Sequence, residues 1–522
     1  MDLPDDVKWQ IFSMNASDHG TPKADRLRTT RIASQVCRNW RELIMGSSYI
    51  WGRLILIDGQ QKKAWMKEVI RRAGESKLWV EVEITSSPTV ELPRHLFSTF
   101  IGILQKHWDR LEVLEININR DFITAIFYDK IWMHTNRPSP MLRSFAVHGT
   151  ESTPFPQYLF SEHAPQLHSF SSTTFGIPGP FPWLSTIRSL RFFPHSITNL
   201  LEILSTTPLL ESLQVDEGSN ILDPEADTLV ISTIPPISLP RLTTIVATVT
   251  YNMFIALFNA LDVPAASCGI QLLVNIPGSF LGVERVKTEF TEALALLMMK
   301  VPRPSDDQRR LYLEIQPSTV NVNFLPVLSL QFQWGIGGPL RGAVSAVVNS
   351  FLPYVHGTTH LDARIAAGGS HYAYTDLAPL LLSMQEVTSI QGDASSLNAF
   401  SRIDVEESSK ASNYSGPRVL FPVLEDGQPL GTAFGPSGYS GPLLRFLERR
   451  KKIGHPISRV CLRITAEEVT KIIESLDKIS DLNVKWTDDA TGDNFNYVCG
   501  SGGFPMTEKA DCRYAEILFV LP

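Results

Sequence analysis

The feature that most limits the fold is a short apolar pattern that returns at irregular intervals along the chain. An apolar residue is followed three positions later by a second and often, two positions further on, by a third, as in Leu111, Leu114 and Ile116. Apolar residues at alternate positions predict strands with one buried face. Copies of the pattern begin at Leu111, Leu142, Leu167, Ile187, Leu210, Leu242, Val387, Ile457 and Ile479.

The first six copies start 31, 25, 20, 23 and 32 residues apart, and helix-like segments such as 96–106, 197–204 and 253–261 lie between them. This arrangement resembles a leucine-rich repeat, in which each strand and helix needs a neighbour to cover its apolar face. The Asn that regular repeats carry after the pattern occurs at Asn119 but is replaced in the other copies. We therefore expect an irregular α/β solenoid, and a different layered α/β fold is the alternative.

The first fifty residues have a different, helical pattern. Pro4 followed by two aspartates is typical of a helix start, and Val7 and Ile11 share one helix face. After a polar connection over 15–29, residues 30–43 predict a second helix with Ile32, Val36, Trp40 and Leu43 on one stripe. A turn at 46–48 then leads to two aromatic residues, Tyr49 and Trp51.

These three elements, in this order, resemble an F-box, the three-helix module that docks onto the Skp-type adaptor of cullin–RING ubiquitin ligases. Together with the repeats, they resemble the F-box and leucine-rich-repeat arrangement of large fungal families. The resemblance implies adaptor contacts, made directly or supported from behind, by Leu3, Pro4, Val7, Ile11, Phe12, Ile32, Val36, Trp40 and Trp51. The alternative is that these residues form only the core of a helical cap.

The sequence predicts four regions. They are an F-box-like module over 1–52, a linking strand and helix over 53–94, the solenoid over 95–486 and a tail over 487–522. Loops rich in Gly, Pro or Ser interrupt the solenoid near 216–240 and 406–442, and the apolar residues 515–521 are a candidate capping strand. Alternation places polar side chains and one aromatic on the concave face of the predicted sheet, where they would contact a protein target: His148, Ser189, Arg191, Phe193, Gln214, Asp216, Gln391 and Asp393.

Composition argues against several other classes of protein. The formal charge of −7 gives no electrostatic footprint for nucleic acid or an anionic membrane. The 5 cysteines include no Cys-x-x-Cys pair, which is typical of a reducing compartment. We find no secretory signal pattern and no apolar run of about eighteen residues. These observations predict a cytoplasmic or nuclear protein with no membrane partner.

Candidate catalytic and ligand motifs are weak. Gly435 to Gly441 lacks the Gly-x-Ser-x-Gly nucleophile pattern, and Gly335 to Gly338 lacks the full spacing of a dinucleotide loop. His360, Asp362 and His371 are too isolated to indicate a metal site. The basic run 448–452 is either a localisation or phosphate-binding patch or a complement to a helix C-terminus. No enzyme, cofactor or metal is predicted.

The sequence therefore predicts the substrate-recognition subunit of a Skp-cullin-F-box type ubiquitin ligase. Its module would bind the Skp-type adaptor and, through it, cullin, while the repeats bind an unknown protein target. A repeat scaffold outside ubiquitination, with the module as a structural cap, is the alternative from another class. A hydrolase is a third hypothesis, which would require a convergent polar pocket.

Overall fold

The computed structural model describes most of the chain, and it divides into two compact units, Met1–Cys268 and Gly269–Pro522. The described residues are 3–17, 20–58, 63–85, 94–119, 125–149, 156, 158–216, 236–262, 268–276, 284–300, 310–316, 318–324, 328–334, 344, 347–348, 350–366, 377–410, 419–429, 440–464, 472–488, 493–502 and 506–507.

The first unit opens with a helical module of four helices rather than the three expected. They are α1 (Asp5–Ser17), α2 (Lys23–Ala33), α3 (Arg38–Gly46) and α4 (Ser48–Gly52). The prediction of one helix over 30–43 is wrong, because a turn separates α2 from α3. Ser34 Oγ donates to the carbonyl of Arg31 at 2.7 Å, a local bond that competes with helix continuation. The predicted connection 15–29 is also wrong in part, since α2 begins within it.

The rest of the first unit is a parallel sheet with helices between its strands. Consecutive strands pair in the order β1, β2, β3, β4, β5, β6, β7 and β9, and a separate parallel pair joins β8 to β10. The strands are β1 (Ile55–Ile57), β2 (Leu78–Thr85), β3 (Leu111–Asn119), β4 (Ser144–Gly149), β5 (Ser169–Ser172), β6 (Ser189–Phe192), β7 (Ser212–Val215), β8 (Ile237–Ser238), β9 (Thr244–Thr250) and β10 (Leu261–Asp262). The helices are α5 (Lys63–Ala73), α6 (Arg94–His107), α7 (Ala125–Thr135), α8 (Ile197–Ser205) and α9 (Tyr251–Ala260).

The recurring apolar pattern forms the core of this unit, as predicted. Its side chains are buried in every copy from Leu111 to Ile245. An aromatic cluster adds to them, with Phe160 packed edge-on against Phe145 at 5.1 Å and Trp183 stacked on Phe170 at 5.0 Å. Phe160 has a positive φ of 59°, a backbone conformation that non-glycine residues rarely adopt. The packing of its buried ring stabilises this conformation.

The second unit contains a mixed sheet. Its strands pair in the order β11, β14, β13, β12, β15, β16, β17, β18, β19, β20 and β21. They are β11 (Gly269–Ile276), β12 (Arg310–Ile315), β13 (Thr319–Phe324), β14 (Leu328–Trp334), β15 (His360–Ile365), β16 (Ser389–Gly392), β17 (Asp426–Pro429), β18 (Arg459–Ile464), β19 (Asn483–Asp488), β20 (Asn494–Val498) and β21 (Met506–Thr507). The helices with complete bounds are α10 (Glu284–Lys300), α11 (Ala378–Ser383), α12 (Ala394–Lys410) and α13 (Ser440–Lys452).

Two features of this unit differ from an uninterrupted strand and helix repeat. Strand β13 pairs antiparallel with both β12 and β14, and β20 pairs antiparallel with both β19 and β21. The predicted loop over 406–442 also contains the end of α12, strand β17 and the start of α13. The candidate capping strand 515–521 and most of the predicted loop 216–240 lie outside the described residues. The structure is thus mixed α/β, while the leucine-rich-repeat solenoid stays a prediction.

Candidate interaction surfaces

The interior of the helical module is built from aromatic and aliphatic side chains. Phe12 is buried and packs edge-on against Trp40, with 5.1 Å between ring centroids. Trp51 is only 1% exposed, and its indole N–H donates to the carbonyl of Ile44 at 2.8 Å. These contacts place Phe12 and Trp51 behind the surface of the module, where they support it without facing solvent.

An apolar stripe runs along the opposite side of α1. It consists of Val7, Ile11 and Met14, which share one face of the helix, and of Leu3, which is 49% exposed and precedes the helix at the same spacing of four. Ile11 is 49% exposed and Met14 is 72% exposed, whereas the helix buries Phe12 and Ala16 on its other side. The module therefore keeps apolar side chains on both faces of one helix, although a monomer needs only one such face.

Two further exposed apolar residues come from the end of α2 and the turn that follows it. Ile32 is 55% exposed and Val36 is 60% exposed. Trp9, Met45 and Tyr49 also keep more than a third of their surface. Most of the exposed large apolar residues in the described part of the chain lie in this module, which makes it the candidate contact surface of the first unit.

Hydrogen bonds fix α1 in place at both ends. At its start, Asp5 accepts from Lys8 at 3.1 Å and from Asn39 of α3 at 3.3 Å, and these bonds lower the pKa of Asp5. At its end, Asn15 donates to the carbonyl of Arg26 at 3.2 Å, and Arg26 donates back to the carbonyl of Ala16 at 3.0 Å. The apolar stripe is thus carried by a helix whose position is set by polar contacts.

A second set of contacts joins the module to the sheet of the same unit. The Arg53 guanidinium lies between two rings, 3.8 Å from the centroid of Tyr49 and 4.2 Å from that of Trp79. Glu112 sits at an irregularity between β2 and β3 and accepts from the Trp79 indole at 2.8 Å. Such a bulge redirects a side chain, and here it turns the buried Glu112 carboxylate toward Arg53, 3.6 Å away.

Glu112 also faces two other cations, Lys77 at 3.5 Å and Arg143 at 3.3 Å. A buried carboxylate surrounded by cations and by an indole donor is well compensated, and its removal would leave those cations unpaired. We name this group the junction: Tyr49, Arg53, Lys77, Trp79, Glu112 and Arg143. It ties the module to strands β2 and β3.

Lys23 makes a separate link between α2 and the sheet. Its ammonium is 3.4 Å from the carboxylate of Glu81 and donates to the carbonyl of Trp79 at 3.4 Å. Burial lowers the pKa of Lys23 to about 8, while Glu81 acts in the opposite direction. The lysine is therefore charged at neutral pH, and its partner is an acidic residue on the polar face of β2.

That polar face is the side of the first unit's sheet opposite the buried apolar pattern. Strand register aligns Glu81 with Glu115 and Asn117 with His148. Further along, Arg191 on β6 aligns with Gln214 on β7. We define the polar face by Glu81, Glu83, Glu115, Asn117, Ala146, His148, Ser171, Arg191, Gln214 and Asp216, all of which are partly exposed.

The predicted target residues at one end of the polar face contact one another. Arg191 donates to Asp216 at 2.7 Å, and Gln214 donates to the other oxygen of Asp216 at 3.3 Å. Burial, followed by the charge of Arg191, lowers the pKa of His148, so this imidazole is neutral at pH 7. Phe193 lies beyond them, edge-on to His195 at 6.1 Å. Sequence alternation therefore identified side chains that share a surface.

Gln391 and Asp393 belong to the second unit. Asp393 Oδ1 accepts from the backbone N–H of Ser396 at 2.7 Å and from its hydroxyl at 2.6 Å, so that oxygen stabilises the start of α12. Gln391 is partly exposed and aligns with Asp362 of β15, which aligns in turn with Tyr312 of β12. The Asp362 oxygen Oδ1 is enclosed and has no hydrogen-bond partner in the structure.

The structure describes parts of the basic run and of the His and Asp group noted in the sequence. Arg450 is fully buried and donates to the carbonyls of Leu420 and Phe421, which places it inside the fold rather than on a basic patch. Among the described residues, no group of three His, Cys, Asp or Glu side chains is arranged to hold a metal ion. His371 and the glycine motifs at 335–338 and 435–439 lie outside that part of the chain.

Two groups of surface residues were not predicted from the sequence. Met14 continues the Leu3, Val7 and Ile11 spacing, so the periodicity of α1 could have identified it. The carboxylates of Glu81 and Glu83 alternate with the buried residues of β2, but only the strand register places Glu115 beside them.

No described helix has the length and apolar character needed to cross a bilayer.

Comparison with known protein families agrees with the geometry of the module. Residues 1–57 match the family described as F-box-like. A comparison with curated proteins finds no match to the chain. F-box-like domains typically bind Skp-type adaptors, and such a domain suggests, in general terms, a substrate adaptor of the SCF type. The helical module at the start of the chain is therefore similar to F-box-like domains.

Proposed function

We propose that this protein is the substrate-recognition subunit of a Skp-cullin-F-box type ubiquitin ligase. The apolar stripe of α1, together with Ile32 and Val36, binds the Skp-type adaptor, which connects the chain to cullin. The remaining α/β region, proposed as an irregular leucine-rich-repeat solenoid, holds a protein target. The chemistry of ubiquitin transfer lies on other subunits, and this chain acts by raising the local concentration of the target.

The observation that carries this proposal is the exposure of the apolar stripe within a segment that matches the F-box-like family. A half-exposed Ile or Met side chain gains about 1 kcal/mol when a partner covers it. Several such side chains on a helix fixed at both ends offset part of the entropy lost on association. The junction supports the second half of the proposal, because it holds the module against the sheet that would carry the target.

Adaptor capture tests the proposal. We expect the intact chain to co-purify with a Skp-type adaptor and the Ile11→Asp, Val36→Asp variant to lose about a hundredfold in affinity, since a buried carboxylate without a partner is strongly unfavourable. Both residues are exposed, so the variant should keep its fold, which circular dichroism checks. The matched control is Met133→Asp, at a residue 61% exposed outside the module, and it should bind the adaptor normally.

A second function, a scaffold with the module as a structural cap, is favoured by the same junction, because a cap would also pack tightly against its sheet. The adaptor experiment separates the two. Absence of binding by a folded intact chain would contradict the ligase proposal and favour the scaffold. Equal binding by the intact chain and the Ile11→Asp, Val36→Asp variant would show that the apolar stripe is not the contact surface.

A further inference from the structure

The positive charge of the helical module is concentrated in α2, α3 and the turn between them. Residues 23–41 contain six cations and one carboxylate, in a chain whose formal charge is −7. Two of the cations are buried, and a third, Arg38, pairs with Glu42 at 2.8 Å. The other three are exposed and form no ion pair within the described part of the chain: Arg28, Arg31 and Arg41.

Two of these guanidinium groups are held in position by uncharged groups. Arg31 lies over the ring of Trp65 on α5, 5.0 Å from its centroid. Arg41 donates from Nε to the carbonyl of Ser34 at 3.1 Å. Neither contact brings a carboxylate to the guanidinium, so the positive charge stays uncompensated. A guanidinium fixed in this way loses little side-chain freedom when it pairs with a carboxylate of another protein.

The same surface carries two exposed apolar side chains. Ile32, which is 55% exposed, follows Arg31 and shares a helix face with Arg28, four residues earlier. Val36 is 60% exposed and lies in the turn to which Arg41 is bonded. A partner that covers Ile32 and Val36 therefore brings its own side chains next to the three arginines, where carboxylates are attracted and cations are repelled.

The mixture of apolar and cationic side chains favours a protein over a nucleic acid as the partner. The phosphates of a nucleic acid would pair with the arginines but would leave Ile32 and Val36 uncovered. The formal charge of −7 also opposes the approach of an extended polyanion. An acidic protein surface with apolar side chains of its own matches both features.

We infer that the segment of the adaptor that covers Ile32 and Val36 is acidic, and that its carboxylates pair with Arg28, Arg31 and Arg41. This inference rests on the proposed function, because it describes the partner of the same surface. Charges at the edge of an apolar contact act mainly on the rate of association, and salt screens them. The arginines thus steer the adaptor to the module, and the apolar side chains hold it there.

Surface plasmon resonance with a Skp-type adaptor, at about 0.05 M and about 0.5 M salt, tests the inference. At the lower salt concentration, the Arg28→Gln, Arg41→Gln variant should associate about tenfold more slowly than the natural chain. At the higher salt concentration the two rates should agree within about twofold, because the charges are screened. Val36→Ser should instead speed dissociation at both salt concentrations, since apolar burial does not depend on screening.

The matched control is Arg241→Gln, Arg445→Gln, which makes the same change in net charge at exposed sites outside the module. Equal slowing by this control would overturn the inference. If the Arg28→Gln, Arg41→Gln variant does not melt cooperatively, Arg28→Glu decides, because the Arg28 side chain makes no hydrogen bond or ion pair among the described residues. Unchanged association of Arg28→Glu would refute the inference.

Failure of this inference is distinct from failure of the proposed function. Equally fast adaptor binding by the natural chain and the Arg28→Gln, Arg41→Gln variant would overturn the acidic partner and leave the proposed function intact. Absence of adaptor binding by the folded natural chain would overturn both. Retention of the natural chain on heparin that disappears in the arginine variant would assign these arginines to a polyanion, which also contradicts the inference.

Discussion

Asp362 illustrates how one side chain on a sheet makes stability depend on pH. Its carboxylate is partly enclosed on β15, and burial raises its pKa to about 6. The charge of Arg364 opposes this shift, whereas Glu314 and Asp393 add to it. Because the Oδ1 atom also lacks a hydrogen-bond partner in the described structure, the ionised form of this residue is poorly compensated.

Ionisation of the Asp362 carboxyl destabilises the folded protein, and Asp362→Asn should therefore be free of this destabilisation. The folded protein binds a proton at this site more tightly than the unfolded chain, whose aspartates titrate near pH 3.8. The stability that protonated Asp362 contributes to the fold is fully present below that pH and is lost as the pH rises toward 6. We expect the variant to gain about 3 kcal/mol of stability relative to the natural chain once the pH is above about 6, since one pKa unit corresponds to about 1.4 kcal/mol. Urea unfolding at a series of pH values measures this.

Asp477 provides a control of opposite sign. It accepts hydrogen bonds from the Gly500 N–H and from the Tyr497 hydroxyl, each at 2.7 Å, and these bonds lower its pKa. Its contribution to stability is present at neutral pH and is lost on acidification. Asp477→Asn should therefore be less stable than the natural chain at neutral pH and match it in acid. If the difference in unfolding free energy between Asp362→Asn and the natural chain does not change with pH, burial of Asp362 does not raise its pKa in the way described.

At the scale of elements, the junction determines how firmly the helical module is held against the sheet. Glu112→Gln keeps an acceptor for the Trp79 indole but removes the charge that faces Arg53, Lys77 and Arg143. Leaving buried or partly buried cations unpaired is strongly destabilising, and we expect a loss of about 3 kcal/mol in unfolding free energy. Denaturant unfolding measures the loss, and hydrogen exchange should show faster opening of α4.

Glu75→Gln is the corresponding exposed control. Glu75 pairs with Arg110 at 3.2 Å, but its side chain is 96% exposed. Solvent screens such a pair, so this variant should change the unfolding free energy by less than about 0.5 kcal/mol. Equal effects of the two substitutions would show that the charge of Glu112 is not what holds the module in place.

The elements also show what the sequence could predict. Alternating apolar residues identified the strands from β3 to β7, because one buried face repeats every second residue. Strand β13 also alternates, with Val320 and Val322 buried between Thr319, Asn321 and Asn323, but alternation does not show that it pairs antiparallel with β12 and β14. The break between α2 and α3 lies at Ser34, whose hydroxyl bonds the backbone, and at Cys37, whose backbone is extended, and apolar periodicity does not detect either feature.

For the candidate surfaces, helix spacing found most of the apolar stripe because neighbours on one helix face are fixed by sequence separation. Strand alternation likewise found which residues face away from the core. The partners of each side chain depend on register between distant segments, as in the pairing of Arg191 with Asp216 and of Lys23 with Glu81.

At the scale of the whole molecule, charge limits the partners that the protein can take. The formal charge is −7, and the most basic run of the sequence, at the end of α13, is largely used within the fold. Arg450 is buried against the carbonyls of the turn at Leu420 and Phe421, where Phe421 has a positive φ of 46°. Lys451 donates to Ser480 at 2.9 Å. The run therefore stabilises an unusual turn and a neighbouring segment.

We predict that the intact protein does not bind polyanions through this run. On a heparin column at pH 7.5 and about 0.15 M salt, it should elute without retention, because its net charge repels the matrix and Arg450 is inaccessible. The Lys451→Glu, Lys452→Glu variant should elute at the same position. Retention of the natural chain that disappears in this variant would instead identify the exposed end of α13 as a phosphate- or sulfate-binding patch.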